Sequence, residues 1–195
     1  MKFINRNILA VFICMLLFIV SGCRGSVPLN YYINPDIDFS YFKKVAVMPL
    51  NNLTNDKSAG EIVRQVVISE LLASGLVDVV IPGEVIAAVN EMGIQNISSL
   101  SAKQINALGK ALNVEAIIMG SVEQYGESRT GNISTPEVTM TLMMADTGTG
   151  NIIWSITATR GGAGFMARHF GARSNTMSET VLAVVRDAIR TLAGK

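Results

Sequence analysis

A β-hairpin is predicted at residues 138–156, which read VTMTLMMADTGTGNIIWSI. On the first arm large apolar residues alternate with threonines, and the return arm repeats the alternation at Ile152, Trp154 and Ile156. A period of two indicates strands that bury one face. The connecting residues 146–151 include two glycines, which can adopt the positive φ of a turn. The pattern therefore predicts two antiparallel strands with an apolar face turned to a core.

Seven further elements are predicted around this hairpin. Nearly continuous apolar runs at 44–48, 77–81 and 114–122 indicate buried strands. Helices are predicted at 59–74 and 84–92, and Gly75 and Gly93 end them. Two more helices are predicted after the capping-box patterns at 101–104 and 176–179. The order is β-α-β-α-α-β-β-β-α. It predicts an α/β (α+β) domain, a single mixed β-sheet with helices packed on it.

The first 22 residues have the pattern of an export signal. Lys2 and Arg6 precede an unbroken apolar run at 8–20, and the small residues Ser21 and Gly22 come directly before Cys23. The run is shorter than the roughly 20 residues that a membrane-spanning helix needs. Residues 1–22 are therefore predicted to be a signal peptide. An ordinary signal peptide with a chance cysteine, or an uncleaved anchor, is the alternative.

Residues 19–23, IVSGC, resemble the bacterial lipobox, whose cysteine is acylated and becomes the mature N-terminus. The resemblance implies lipidation of Cys23, and several acyl chains anchor stably because each buried CH₂ contributes about 0.8 kcal/mol. Arg24, rather than Asp, follows the cysteine, which implies an outer-membrane lipoprotein facing the periplasm. Residues 23–40 are predicted to be the lipidated N-terminus and a tether reaching at most about 60 Å. The periplasmic domain is expected at 41–195.

Composition argues against several functional classes. The chain has 16 basic and 15 acidic residues, which gives no general electrostatic reason to bind nucleic acid. Cys14 leaves with the signal, so Cys23 has no partner for an internal disulfide. His169 is the single histidine and cannot form a His-based metal site, and no glycine pattern matches a phosphate or dinucleotide loop. We expect no cofactor, no metal and no nucleic acid.

The tetrapeptide that begins at Asp146, Asp-Thr-Gly-Thr, matches the active-site motif of aspartic proteases. That chemistry needs two close carboxylates that share a proton, supplied by two lobes or two subunits. The motif occurs once here, and a hairpin turn accounts for its glycines. We therefore expect no catalytic residues and no enzyme, with a protease centred on Asp146 as a remote alternative.

The segment 160–175 is the candidate for partner binding. It contains four glycines, and its aromatic and cationic residues are of the types favoured at protein interfaces. The predicted contact residues are Arg160, Phe165, Arg168, Phe170 and Arg173. The alternative is a loop whose phenylalanines fold back on the sheet.

Three blocks of sequence resemble the curli-secretion-channel (CsgG-like) lipoprotein superfamily, which includes LpoB-like activators of penicillin-binding proteins and domains similar to the TolB N-terminal domain. The blocks are KVAVMPLNN at 44–52, LGKALNVEAIIMGSV at 108–122 and LMMADTGTGNIIWS at 142–155. With the lipobox they span most of the mature chain. The resemblance implies an α/β domain without enzyme activity that works through protein contacts in the cell envelope.

The expected function is a non-catalytic outer-membrane lipoprotein that binds or regulates envelope machinery, in peptidoglycan-synthase activation or in secretion and assembly. A ring or channel subunit for outer-membrane secretion is the alternative. The sequence is also compatible with a homo-oligomer. The corresponding insertions for a channel are 123–136 and 160–175. The first is short and polar and the second carries three arginines, whereas a spanning strand needs about 9–11 residues of alternating apolarity. The tether, in turn, is shorter than those usual in the activators.

Overall fold

The computed structural model describes residues 29–130, 133–161 and 175–193. Within these ranges one mixed sheet of seven strands carries four helices, which confirms the predicted fold class. The strands are β1 (Asn30–Ile33), β2 (Lys44–Val47), β3 (Asn51–Asn52), β4 (Asp78–Val79), β5 (Ala116–Thr130), β6 (Ile133–Asp146) and β7 (Ile152–Gly161). The helices are α1 (Ala59–Ser74), α2 (Pro82–Glu91), α3 (Ala102–Leu112) and α4 (Met177–Ala193).

The sheet combines a parallel half with an antiparallel half. Its strand order is β1-β7-β6-β5-β2-β4, and β3 pairs with β5 beside β2. The pairs that involve β2 or β3 are parallel, because helical crossovers connect these strands, whereas β5, β6, β7 and β1 pair antiparallel. The late hairpin is thus joined directly to the parallel half through β5.

Helices cover the two faces of the sheet unequally. α1 and α4 bury the larger core, which extends over β2, β5, β6 and β7. Trp154 lies fully buried in this layer, and its indole Nε1 donates to Thr191 Oγ1 of α4 at 2.9 Å. On the opposite face α2 and α3 pack on Ala46 of β2, on Met48 directly after it, and on Ile117 and Met119 of β5.

The local signals in the sequence set the helix ends. Gly75 adopts a φ of 65° and ends α1, because a left-handed residue there carries no Cβ strain. Both capping boxes form: Gln104 N donates to Ser101 Oγ at 3.3 Å, and Glu179 N donates to Thr176 Oγ1 at 3.2 Å. Pro82, directly after the apolar run at 77–81, is the first residue of α2, where its missing N–H costs nothing.

The structure adds two strands and lengthens three others. Residues 30–33, inside the segment expected to be tether, form β1 and pair with β7 at the edge of the sheet. The loop after β2 contributes β3. β5 ends at Thr130 and β6 begins at Ile133, so the polar segment 123–136 is mostly strand, and β7 continues to Gly161.

The register also corrects one core residue. Ile152 was predicted to point inward with Trp154 and Ile156, but it is 36% exposed, and Ile153 is buried instead. The cause is an irregularity between Met144 and Ala145, which shifts the pairing of β6 with β7 by one residue.

Candidate protein interface

The predicted contact segment begins at Arg160, which lies at the end of β7. Its side chain is 51% exposed, and Nε donates to Asp187 Oδ2 of α4 at 2.6 Å. Arg190 Nη1 lies 3.8 Å from the other oxygen of Asp187. Two arginines therefore share one carboxylate, and since a guanidinium has five N–H donors, Arg160 keeps donors for a further acceptor.

The structure does not describe the other four predicted contact residues. Phe165, Arg168, Phe170 and Arg173 lie outside the described residues, as does Cys23. The geometry brings Arg160 together with Asp187 and Arg190, which sequence reasoning did not single out. No local pattern could have found this cluster, because it joins residues almost thirty positions apart.

A groove runs between the edge strand β1 and the C-terminal half of α4. It encloses about 720 Å³ and is lined by Leu29, Tyr31, Tyr32, Ile33, Asp187, Arg190 and Thr191. Tyr31 and Tyr32 are each 50% exposed. Both tyrosines lie on β1, which among the described residues is the edge strand of the sheet.

One half of the sheet has a face that no described helix covers. On β6 and β7 this face carries threonines whose hydroxyls pair across the strands, Thr139 with Thr159 and Thr141 with Thr157, each at 3.0 Å. Antiparallel sheets commonly leave one face to water, and polar side chains there are the expected result. The paired hydroxyls satisfy one another, so this face needs no partner for its stability.

The extended hairpin of β5 and β6 is the second feature that sequence reasoning missed. Tyr125 on β5 is half-buried, and burial, with a smaller contribution from the charge of Asp56, raises its pKa above the usual value. The hairpin therefore lies close to the polar loop that follows β3. A signal was present, because Gly131-Asn132 is a dipeptide that favours two-residue hairpin turns.

The protease-like motif forms a structural turn. Asp146 Oδ1 accepts from Gly148 N at 2.9 Å, and Oδ2 accepts from Thr149 Oγ1 at 2.7 Å and Thr149 N at 3.2 Å. Thr147 Oγ1 donates to the carbonyls of Val114 and Glu115. Both carboxylate oxygens of Asp146 are thus occupied in closing the hairpin.

Among residues 29–130, 133–161 and 175–193, no three His, Cys, Asp or Glu side chains are grouped as metal ligands. In the same ranges, no helix combines the length and the apolarity required to cross a bilayer. His169 lies outside these ranges.

A family model described as "Peptidoglycan-synthase activator LpoB" matches residues 36–158. The match covers well over half of the chain and runs from the approach to β2 almost to the end of β7. The chain belongs to the LpoB family. Members of the LpoB family are non-catalytic activators, so the protein is not an enzyme, and an envelope regulator is the role that family membership supports. The LpoB part of the resemblance is confirmed, and the wider kinship with curli secretion channels stays a prediction.

Solved structures share the LpoB-family fold of this chain. The PelC dodecamer from Paraburkholderia phytofirmans matches with a TM-score of 0.57 and 19% identity, over 86% of this chain and 98% of that one. The lipoprotein GNA1162 from Neisseria meningitidis matches with a TM-score of 0.55 and 18% identity, over 78% and 99%. At such identities the likeness establishes the fold alone. No curated protein matches the chain.

Proposed function

We propose that this protein is a lipid-anchored regulator of peptidoglycan synthases, held at the outer membrane and facing the periplasm. The observation that carries the proposal is the match of residues 36–158 to the activator family. The anchor rests on the lipobox that ends at Cys23, and the choice of membrane rests on Arg24 at the next position. The large core and the absence of a catalytic role agree with a domain that works by binding.

The short N-terminal link constrains how a partner is reached. Cys23 and Leu29, the first of the described residues and one packed against the core, are six residues apart and so at most about 20 Å. The domain therefore stays beside the membrane that holds its lipid. A synthase based in another membrane has to extend its own domain to this one.

The proposed contact surface centres on the segment that begins at Arg160. Arginine and aromatic residues carry much of the binding energy in protein interfaces, and the segment supplies Phe165, Arg168, Phe170 and Arg173. The family match ends at residue 158, immediately before this segment. We therefore assign shared function to the matched domain and the choice of partner to the segment that follows it.

A regulator without catalytic groups acts through differential binding. It raises the rate of a synthase if it binds the active conformation more tightly than the inactive one. A tenfold shift in that equilibrium requires a difference in binding free energy of about 1.4 kcal/mol. Two or three interface side chains supply a difference of this size.

The test measures glycan-strand synthesis by purified peptidoglycan synthases from the same organism, with and without the acylated protein. We expect the wild-type protein to stimulate synthesis. Phe165→Ala and Arg168→Ala should abolish both this stimulation and co-purification with the synthase. Lys110→Ala is the control, because this exposed lysine lies on α3, which packs on the opposite face of the sheet. If the wild type leaves every synthase unchanged, the regulatory role is refuted.

The anchor is tested separately. Labelling with a palmitate analogue should mark the wild type, and Cys23→Ser should abolish both the label and the membrane fractionation. An unlabelled wild type contradicts lipidation at Cys23 and leaves the synthase assay to judge regulation.

A ring-forming subunit is the second candidate, because the PelC structure with the same fold is a dodecamer. Light scattering of the detergent-solubilised protein distinguishes the two. A large symmetric oligomer supports the ring, whereas a monomer removes it.

A further inference from the structure

The edge strand β1 carries two exposed tyrosines at the place where the chain enters the domain. Asn30 pairs with Thr157 and Ile33 with Trp154, so β1 has one paired side and, among the described residues, one free side. Successive side chains of a strand point to opposite faces. Tyr31 therefore points to the α4 side of the sheet and Tyr32 to the uncovered face, and both line the groove.

The position of β1 relative to Cys23 limits which surface meets the membrane. Leu29 is six residues from Cys23, at most about 20 Å along the chain. A domain of about 150 residues has a radius of gyration near 15 Å, so the path around it to the far side is longer than this link. An acylated Cys23 thus keeps the β1 side of the domain nearest to the bilayer.

The chemistry of this side suits lipid headgroups. Tyrosine is enriched at membrane interfaces because its ring is apolar and its hydroxyl is polar. Among the described residues nearby, Arg160 and Arg190 share the single carboxylate of Asp187, which leaves an excess of positive charge. Arg190 is 71% exposed and also lines the groove. Anionic headgroups attract arginines placed in this way.

We infer that the β1 edge, with Tyr31, Tyr32 and Arg190, lies against the phospholipid headgroups of the bilayer that holds the lipid anchor. The domain then docks on the membrane in one orientation and presents its other surfaces to partners. The inference rests on the proposed lipidation of Cys23. A second copy of the chain is the competing occupant, but a four-residue strand offers few backbone hydrogen bonds to an added strand.

The experiment uses the acylated full chain in vesicles of phosphatidylethanolamine and phosphatidylglycerol with brominated acyl chains. Tyr31→Trp and Tyr32→Trp place an indole at the edge, and Tyr41→Trp is the matched control, because Tyr41 is 68% exposed next to a different cavity. The native Trp154 is fully buried and gives a constant background. We expect bromine quenching and a shift of emission to shorter wavelength at positions 31 and 32, and neither at position 41.

Hydroxyl-radical footprinting of the unsubstituted protein provides the second measurement, in case a tryptophan perturbs the edge. Vesicles should protect Tyr31 and Tyr32 from oxidation and leave Tyr41 as reactive as in detergent. The inference is overturned if quenching is equal at all three positions, or if no position is quenched although the protein still floats with the vesicles. Neither result contradicts the lipid anchor at Cys23. If Tyr31 and Tyr32 are instead protected without lipid, to a degree that rises with protein concentration, the β1 edge binds a second copy of the chain. That result also overturns the inference. Failure of the wild type to float refutes the anchor and the inference together.

Discussion

Replacing Gly109 with alanine tests how tightly α3 is packed against the hairpin turn. A Cβ built on Gly109 lies 2.6 Å from Thr147 Cγ2 and 2.8 Å from its Oγ1, and Thr147 Cβ is closer still. In an open helix the same substitution stabilises by about 1 kcal/mol, because alanine has the higher helix propensity. Here the added methyl group must displace Thr147, whose hydroxyl donates to the carbonyls of Val114 and Glu115.

The opposing contributions can be compared in magnitude. Overpacking of this kind costs about 1–3 kcal/mol, and loss of the hydrogen bond that the Thr147 hydroxyl shares between the two carbonyls costs about 0.5–1.5 kcal/mol. These costs exceed the gain in propensity, so we expect Gly109→Ala to lower the free energy of unfolding by about 2 kcal/mol. For a domain of this size the melting temperature falls by about 4–8 °C.

Urea unfolding followed by circular dichroism measures the change. Gly83→Ala in α2 is the matched control, because no heavy atom lies within 4 Å of a Cβ built there. It should be neutral or stabilising. A Gly109→Ala protein as stable as the wild type would refute the packing argument.

Two other substitutions test particular contacts. Arg64→Met keeps the buried stem of Arg64 but removes the guanidinium that donates to the Val47 carbonyl at 2.9 and 3.2 Å. We expect the free energy of unfolding, measured in urea, to fall by about 1–3 kcal/mol. A change below about 0.5 kcal/mol argues against a stabilising role of the guanidinium. The second substitution concerns Asp56, whose pKa is lowered below the usual 3.8 by hydrogen bonds from Ser58. These bonds stabilise the folded protein above that pH, and the stabilisation is lost as the pH falls through the folded-state pKa of Asp56. The stability difference between wild type and Ser58→Ala should therefore be largest near neutral pH and narrow in acid, and a difference independent of pH contradicts the prediction.

The elements that sequence predicted are those whose signals are local. The capping boxes at Ser101 and Thr176, and Gly75 after α1, depend on neighbouring residues, and the structure shows them as expected. Alternation in β6 likewise identified Val138, Met140, Leu142 and Met144 as core. Periodicity succeeds here because one face of the strand is covered along its length.

The elements that sequence missed depend on pairing between distant segments. β1 has no periodicity of its own and is a strand because β7 offers an edge to it. The position of Ile152 follows from an irregularity between β6 and β7, which composition does not encode. Asp187 meets Arg160 only because α4 packs on the sheet, so the pairing of these two residues could not be found from spacing along the chain.

The edge position of β1 sets the shortest form of this domain that can stay soluble. A truncated chain that starts at residue 41 lacks Asn30–Ile33 and uncovers the backbone N–H and C=O groups of β7. An uncovered strand of this length is a template for aggregation, and the loss of Ile33 also removes a side chain packed on the core. A truncation for recombinant production should therefore retain the whole of β1, beginning no later than Leu29.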